Sequence, residues 1–78
     1  MTTTTGQRIR AERLRLGLTQ EACAAALGVS RGTYVQLEQG TNPKLGTLVA
    51  LNDRLRMDLR RIVPELFATG KGTGGPKP

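Results

Sequence analysis

The sequence predicts an all-α protein, a compact bundle of about five short helices, and three observations lead there. No stretch sustains the period-two alternation that a half-buried strand needs, and aromatic residues amount to one Tyr, one Phe and no Trp. Apolar residues instead recur at three- and four-residue steps, the spacing that collects them on one face of a helix. Glycines and short polar residues then cut this pattern into segments, since Gly tolerates the left-handed turn that ends a helix and Ser, Thr or Asp caps the next one.

A first helix is expected over about Gln7 to Leu16, with Ile9 and Leu16 two turns apart on one face and Arg13 between them. Gly17 ends it. Thr19 caps a second helix, Gln20 to Leu27, whose inward face is Cys23, Ala24 and Leu27, and Gly28 terminates that one. Ser30 opens a third, Arg31 to Gln39, which turns Tyr34, Leu37 and Glu38 to one side before Gly40 closes it. Asn42 as cap and Pro43 at the first helical position suit the start of a fourth helix. Leu45, Leu48, Leu51 and Leu55 repeat along it, and Leu59, Ile62 and Leu66 continue the series. Asp58 is a good cap, so a break near Arg56 and Met57 and a separate fifth helix are expected. Pro64 lacks an N–H, so this last helix should be short, kinked or restarted there.

The ends read differently. Residues 1–5 are a threonine run expected to form a flexible arm, residues 6–67 one domain, and residues 68–78 a disordered tail of Gly, Pro and Lys. With 78 residues the chain has room for one domain. Twelve Lys and Arg against six Asp and Glu give a net charge of +6, which favours an anionic partner. One cysteine and no histidine leave no internal disulfide and no Cys/His zinc site, and no base or activated nucleophile is assembled, so neither a cofactor nor an enzymatic activity is expected. Cys23, among alanines, reads as a small buried thiol. No segment approaches the apolar length needed to span a bilayer, and no export signal is visible. A reducing, cytoplasmic setting at the nucleoid, with no membrane partner, is the expectation.

Residues Gln20 to Gln39, QEACAAALGVSRGTYVQLEQ, have the layout that two helices crossing steeply through a tight turn require. Ala24 is small enough to let the helices approach, and Gly28 supplies a positive φ that a β-carbon would penalise. Cys23, Leu27, Val29, Tyr34 and Leu37 would form the shared apolar wedge, with the Tyr34 hydroxyl at its rim. This is a helix-turn-helix.

From Gly6 to Leu59 the chain resembles the XRE, or lambdoid phage repressor and Cro, family. The resemblance is carried by IRAERLRLGLTQ from Ile9, Ala24, LGVS from Leu27, LEQG from Leu37 and NPKLGTLVALNDRL from Asn42. It implies a lambda-repressor-like DNA-binding domain whose partner is double-stranded DNA. It also implies a buried ion pair between Arg13 and Glu38 that joins the first and third helices. In two respects the chain departs from the family pattern: Arg56 stands where a glycine often ends the fourth helix, and Lys44 where a serine often caps it.

The docking mode implied by the resemblance places the third helix in the major groove while the second crosses the backbone. Ser30, Arg31, Gly32, Val35 and Gln36 match the positions that face bases. Arg31 suits guanine O6 and N7, with a phosphate contact as the other reading. Gln36 suits adenine or a phosphate oxygen, and Val35 a thymine methyl. Gly32 stands where many relatives carry a larger polar residue. Phosphate contacts are expected from Gln20, Thr33, Thr41, Asn42 and Lys44, with Arg8 and Arg10 as further candidates. Relatives pair through their last helices, so Met57, Ile62, Val63, Leu66 and Phe67 are the expected homodimer surface. The function implied is a transcriptional regulator, a dimeric repressor on an inverted-repeat operator. An antitoxin that also binds a toxin, or a controller of a restriction–modification system that also engages polymerase, would share the fold and add a protein partner.

Overall fold

A computed structural model describes residues 3–40 and 42–67 of the chain. They form five helices: α1 (Thr5–Arg15), α2 (Gln20–Leu27), α3 (Arg31–Gln39), α4 (Leu45–Leu55) and α5 (Leu59–Ile62). A further helical turn covers residues 64–67, restarted at Pro64 after the break at Val63. Residues 1, 2, 41 and 68–78 lie outside the described set, and with them the expected tail and the Thr41 contact.

Helix α1 starts earlier than the sequence suggests. Thr4 Oγ1 accepts the Gln7 backbone N–H at 3.1 Å, and the Gln7 side chain accepts the Thr4 N–H at 2.9 Å. This reciprocal cap satisfies two otherwise unpaired donors and draws Thr4 and Thr5 out of the expected flexible arm. At the other end Gly17 has φ +73°, and the Leu18 N–H returns to the Arg13 carbonyl at 3.0 Å. Thr19, Ser30 and Asp58 cap α2, α3 and α5 with their side chains. Helix α4 begins after Lys44, which supplies no side-chain cap, rather than at Asn42 and Pro43. It ends on Arg56 in the left-handed region at φ +62°, the conformation that glycine adopts most cheaply.

The core is Ile9, Cys23, Ala24, Tyr34, Leu48, Leu51, Leu55, Met57, Ile62 and Val63, with Leu16, Leu18, Leu27, Leu37 and Leu59 packed around it. Helix α3 packs on α1 and α2, while α5 covers α1 and α4 covers α2. Two members of the apolar series are not buried: Leu45, at the start of α4, is 71% exposed, and Leu66, in the turn after Pro64, is 58% exposed. Val29 also departs from the expected wedge. It is exposed at the rim of an apolar hollow of about 220 Å³ between Leu27 and Leu37 on one side and Gly46, Thr47 and Ala50 on the other.

The packing of α1 on α3 depends on Gly6. Its N–H donates to the Gly40 carbonyl at 3.0 Å, and a β-carbon at this position would overlap the backbone oxygens of Glu38 and Gly40. Glu12 fastens α1 to the C-terminal segment. Its buried carboxylate accepts from Arg15 Nε at 2.8 Å, from Arg15 Nη2 at 2.6 Å and from the Asp58 backbone N–H at 2.7 Å. The Arg15 hydrogen bonds hold the Glu12 carboxyl below its ordinary pKa despite the opposing effect of burial.

Candidate nucleic-acid interface

Local chemistry sets the geometry of the α2–α3 corner. Gly28 takes φ +73° and ψ +30°, ending α2 with its N–H on the Ala25 carbonyl, and the Val29 N–H reaches back to Ala24 at 3.0 Å. Two residues later Ser30 Oγ accepts the Thr33 N–H at 3.1 Å and donates to Thr33 Oγ1 at 2.9 Å. Arg31 is therefore the first residue of a firmly started helix.

Beneath this corner lies an ion pair. Arg13 Nε donates to Glu38 Oε2 at 2.6 Å, with 9% and 4% of the two side chains exposed, and Arg13 Nη1 donates to the Leu18 carbonyl at 2.9 Å. Burial pushes the Glu38 carboxyl up, but the hydrogen bond from Arg13, with Tyr34 and Gln20 beside it, outweighs burial and leaves the group below its ordinary value. Tyr34 is wholly buried in α3 next to Glu38 and Cys23, and its hydroxyl is enclosed rather than at a rim. Among the described residues it finds no hydrogen bond of good geometry, and burial drives its pKa upward. Burial likewise raises the Cys23 thiol, which keeps it protonated.

Above the ion pair, Gln20 and Arg31 meet. Gln20 Nε2 donates to Glu38 Oε1 at 3.2 Å, and Arg31 Nη2 donates to Gln20 Oε1 at 3.1 Å. Ser30, Arg31, Gly32 and Gln36 are all exposed on α3, whereas Val35 is half-buried and presents only part of its side chain. A β-carbon on Gly32 would meet open space.

A sequence model of the helix-turn-helix family matches residues 9–62, more than two thirds of the chain. The chain belongs to the XRE, lambda-repressor-like helix-turn-helix family. Neither a curated protein nor a solved structure matches it. This helix-turn-helix protein is a DNA-binding regulator, and DNA is its partner. Among the described residues no helix is long and apolar enough to cross a membrane.

Within this helix-turn-helix protein the remaining candidates divide. Thr33, Asn42, Lys44 and Arg10 are exposed, as phosphate contacts must be. Arg8 is engaged elsewhere, with its Nη1 on Glu65 Oε1 at 3.1 Å. The expected dimer surface needs correction, because Met57, Ile62 and Val63 are 0%, 0% and 6% exposed. They belong to the core under α1, so of the five residues only Leu66 and Phe67, 58% and 48% exposed, face outward. Arg60 stacks 5.9 Å over the Phe67 ring. Gly6 and Glu12 escaped the sequence reading, since their partners lie far away in the chain. Periodicity places Arg13 on the face of Ile9 and Leu16 but carries no sign that the neighbouring Glu12 carboxylate also turns inward.

Proposed function

We propose that this protein is a sequence-specific transcriptional regulator that acts as a homodimeric repressor on an inverted-repeat operator. The observation that carries this reading is the N-terminal turn of α3: a capped helix start with Arg31 exposed beside Gln20, on a corner anchored by a buried ion pair. A helix presented in this way enters the major groove with its first residues against base edges. Arg31 reads a guanine through paired donation to O6 and N7, and Ser30, Gly32, Val35 and Gln36 line the rest of the reading edge. Lys44, Asn42, Thr33, Gln20 and Arg10 hold phosphates and set the register. Arg8 would first have to release Glu65. Leu66 and Phe67, both exposed, form the centre of the two-fold contact, and half-site centres one helical turn, about 34 Å, apart are what such a dimer would bind.

The test is a footprint of the purified protein on the DNA upstream of its own gene, followed by titration of Arg31→Ala against the protected site and against variants at each guanine. Loss of a base contact costs about 1–3 kcal/mol per half-site and relaxes the choice of base at one position. An equal loss on every sequence would reduce Arg31 to a phosphate contact, and an unprotected upstream region would defeat the operator.

A further inference from the structure

The apolar hollow between α3 and α4 has a volume of about 220 Å³. That exceeds the roughly 150 Å³ of an engineered cavity that takes up benzene, and falls short of the roughly 300–1,000 Å³ of small-molecule sites. It suits one large apolar side chain. The apolar surface continues around it, since Val29 at its rim and Leu45 and Val49 on the adjoining stripe of α4 are all exposed. Gly46 adds a second observation. Glycine is among the poorest helix formers, yet a β-carbon here would meet no described atom within 4 Å, in contrast to Gly6. The packing of the chain on itself does not call for it. With Ala50 one turn on, Gly46 keeps the α4 side of the hollow low, so that another helix laid along α4 comes close.

Charge decides what kind of helix that is. Lys44 is exposed immediately before α4, and Arg54, one turn beyond Ala50, reaches the Ala26 carbonyl at 3.3 Å beside Leu27. A cation therefore stands at each end of the hollow, about 15 Å apart along the axis of α4. Asp53 is the single acid of α4. The chain as a whole carries +6, so a second copy approaching this face is repelled where an acidic partner is attracted. Resting on the assignment of Thr33 and Lys44 to phosphates, we propose that the hollow docks an acidic amphipathic helix of an inhibitory protein partner. One apolar side chain of that helix enters the hollow, as in other helix-in-groove contacts, and its terminal carboxylates take Lys44 and Arg54. DNA meets the same edge with its charged backbone, which uses Thr33 and Lys44 and leaves the hollow open. Thr33 lines the hollow and Lys44 borders it, so the partner helix and DNA exclude each other.

The experiment uses the full chain and, as probe, a synthetic helical peptide of about three turns. It is lactam-bridged on its outer face, with leucines one turn apart on the inner face and glutamates at both ends. Methyl NMR should show shifts centred on Val29, Leu37 and Val49, with a Kd below about 1 mM. A control peptide with glutamine for each glutamate should bind several-fold more weakly. Gly46→Leu, which grows a side chain into the hollow, should weaken the glutamate peptide roughly tenfold. On a duplex that the parent selects from a randomised pool, the glutamate peptide should release the parent but not Gly46→Leu, which itself binds that duplex as the parent does. No shift at these methyls, equal binding of the glutamine peptide, or undiminished binding to Gly46→Leu overturns the proposal. A Gly46→Leu chain that loses the self-association of the parent gives the hollow to a second copy and overturns it too. If the seated peptide leaves DNA bound, the salt dependence of Lys44→Ala apportions the failure. An unchanged slope removes the phosphate assignment and the inhibitory role with it, whereas a flattened slope keeps the assignment and removes the inhibitory role alone. Should Gly46→Leu unfold, Val49→Glu takes its place, since a carboxylate at that exposed position repels the probe.

Discussion

Replacing Arg13 by Ala tests the buried pair most directly, because the structure allows both size and pH dependence to be worked out. The substitution leaves the Glu38 carboxylate 4% exposed without its cation, and the Leu18 carbonyl without its donor. Breaking a buried pair from one side costs about 3–5 kcal/mol. The Gln20 amide still donates to Glu38 Oε1, which argues for the lower end, about 3 kcal/mol. For a domain of this size that corresponds to a fall in Tm of about 12–24 °C. Glu38 has a lowered pKa in the folded parent, so its pair contributes fully above the unfolded value and is lost as pH falls through the folded one. In the variant the sign reverses: a buried carboxyl without a cation has a raised pKa, and protonation relieves it. The gap between parent and variant should therefore narrow as pH drops below about 5. Urea unfolding followed by circular dichroism across that range measures both quantities. A variant within about 0.5 kcal/mol of the parent at pH 7, or a gap that widens in acid, would refute the reasoning.

Three further outcomes are expected. Gly6→Ala should destabilise by about 1–3 kcal/mol through overlap with rigid backbone, although Ala is the better helix former by about 1 kcal/mol; a stabilised variant in thermal unfolding would mean that α1 and α3 are not in close approach. Arg56→Gly should raise stability by about 0.5–1 kcal/mol, because relief of the left-handed conformation exceeds the entropy glycine adds to the unfolded chain; a lower urea midpoint would count against it. Lys44→Ala should flatten the log–log salt dependence of DNA binding by about one unit while leaving sequence preference alone, and an unchanged slope would remove Lys44 from the phosphate contacts.

What the sequence determined by itself is the part governed by local physics. Thr19, Ser30 and Asp58 each place an oxygen where the next helix offers unpaired N–H groups, so α2 and α3 begin and end where Thr19, Gly28, Ser30 and Gly40 say they should. The α2–α3 corner and the exposed position of Arg31 follow from those caps. The pairing of Arg13 with Glu38, 25 residues apart, was legible only through family resemblance. Periodicity identifies the inward face of a helix but not how far its neighbours extend over it. Leu45 and Leu66 share the spacing of Leu51 and Ile62, yet only the latter are buried, and Met57, Ile62 and Val63 lie in the core. The roles of Gly6 and Glu12, and the side-chain partners of Gln20, belong wholly to the tertiary structure. Gly6 answers to the backbone of Glu38 and Gly40, Glu12 to an N–H 46 residues away, and Gln20 to a carboxylate and a guanidinium from α3. Their roles arise from the approach of helices distant in the chain, where a missing β-carbon, a buried charge and an amide between two charged groups acquire meaning only once the opposing surface is in place.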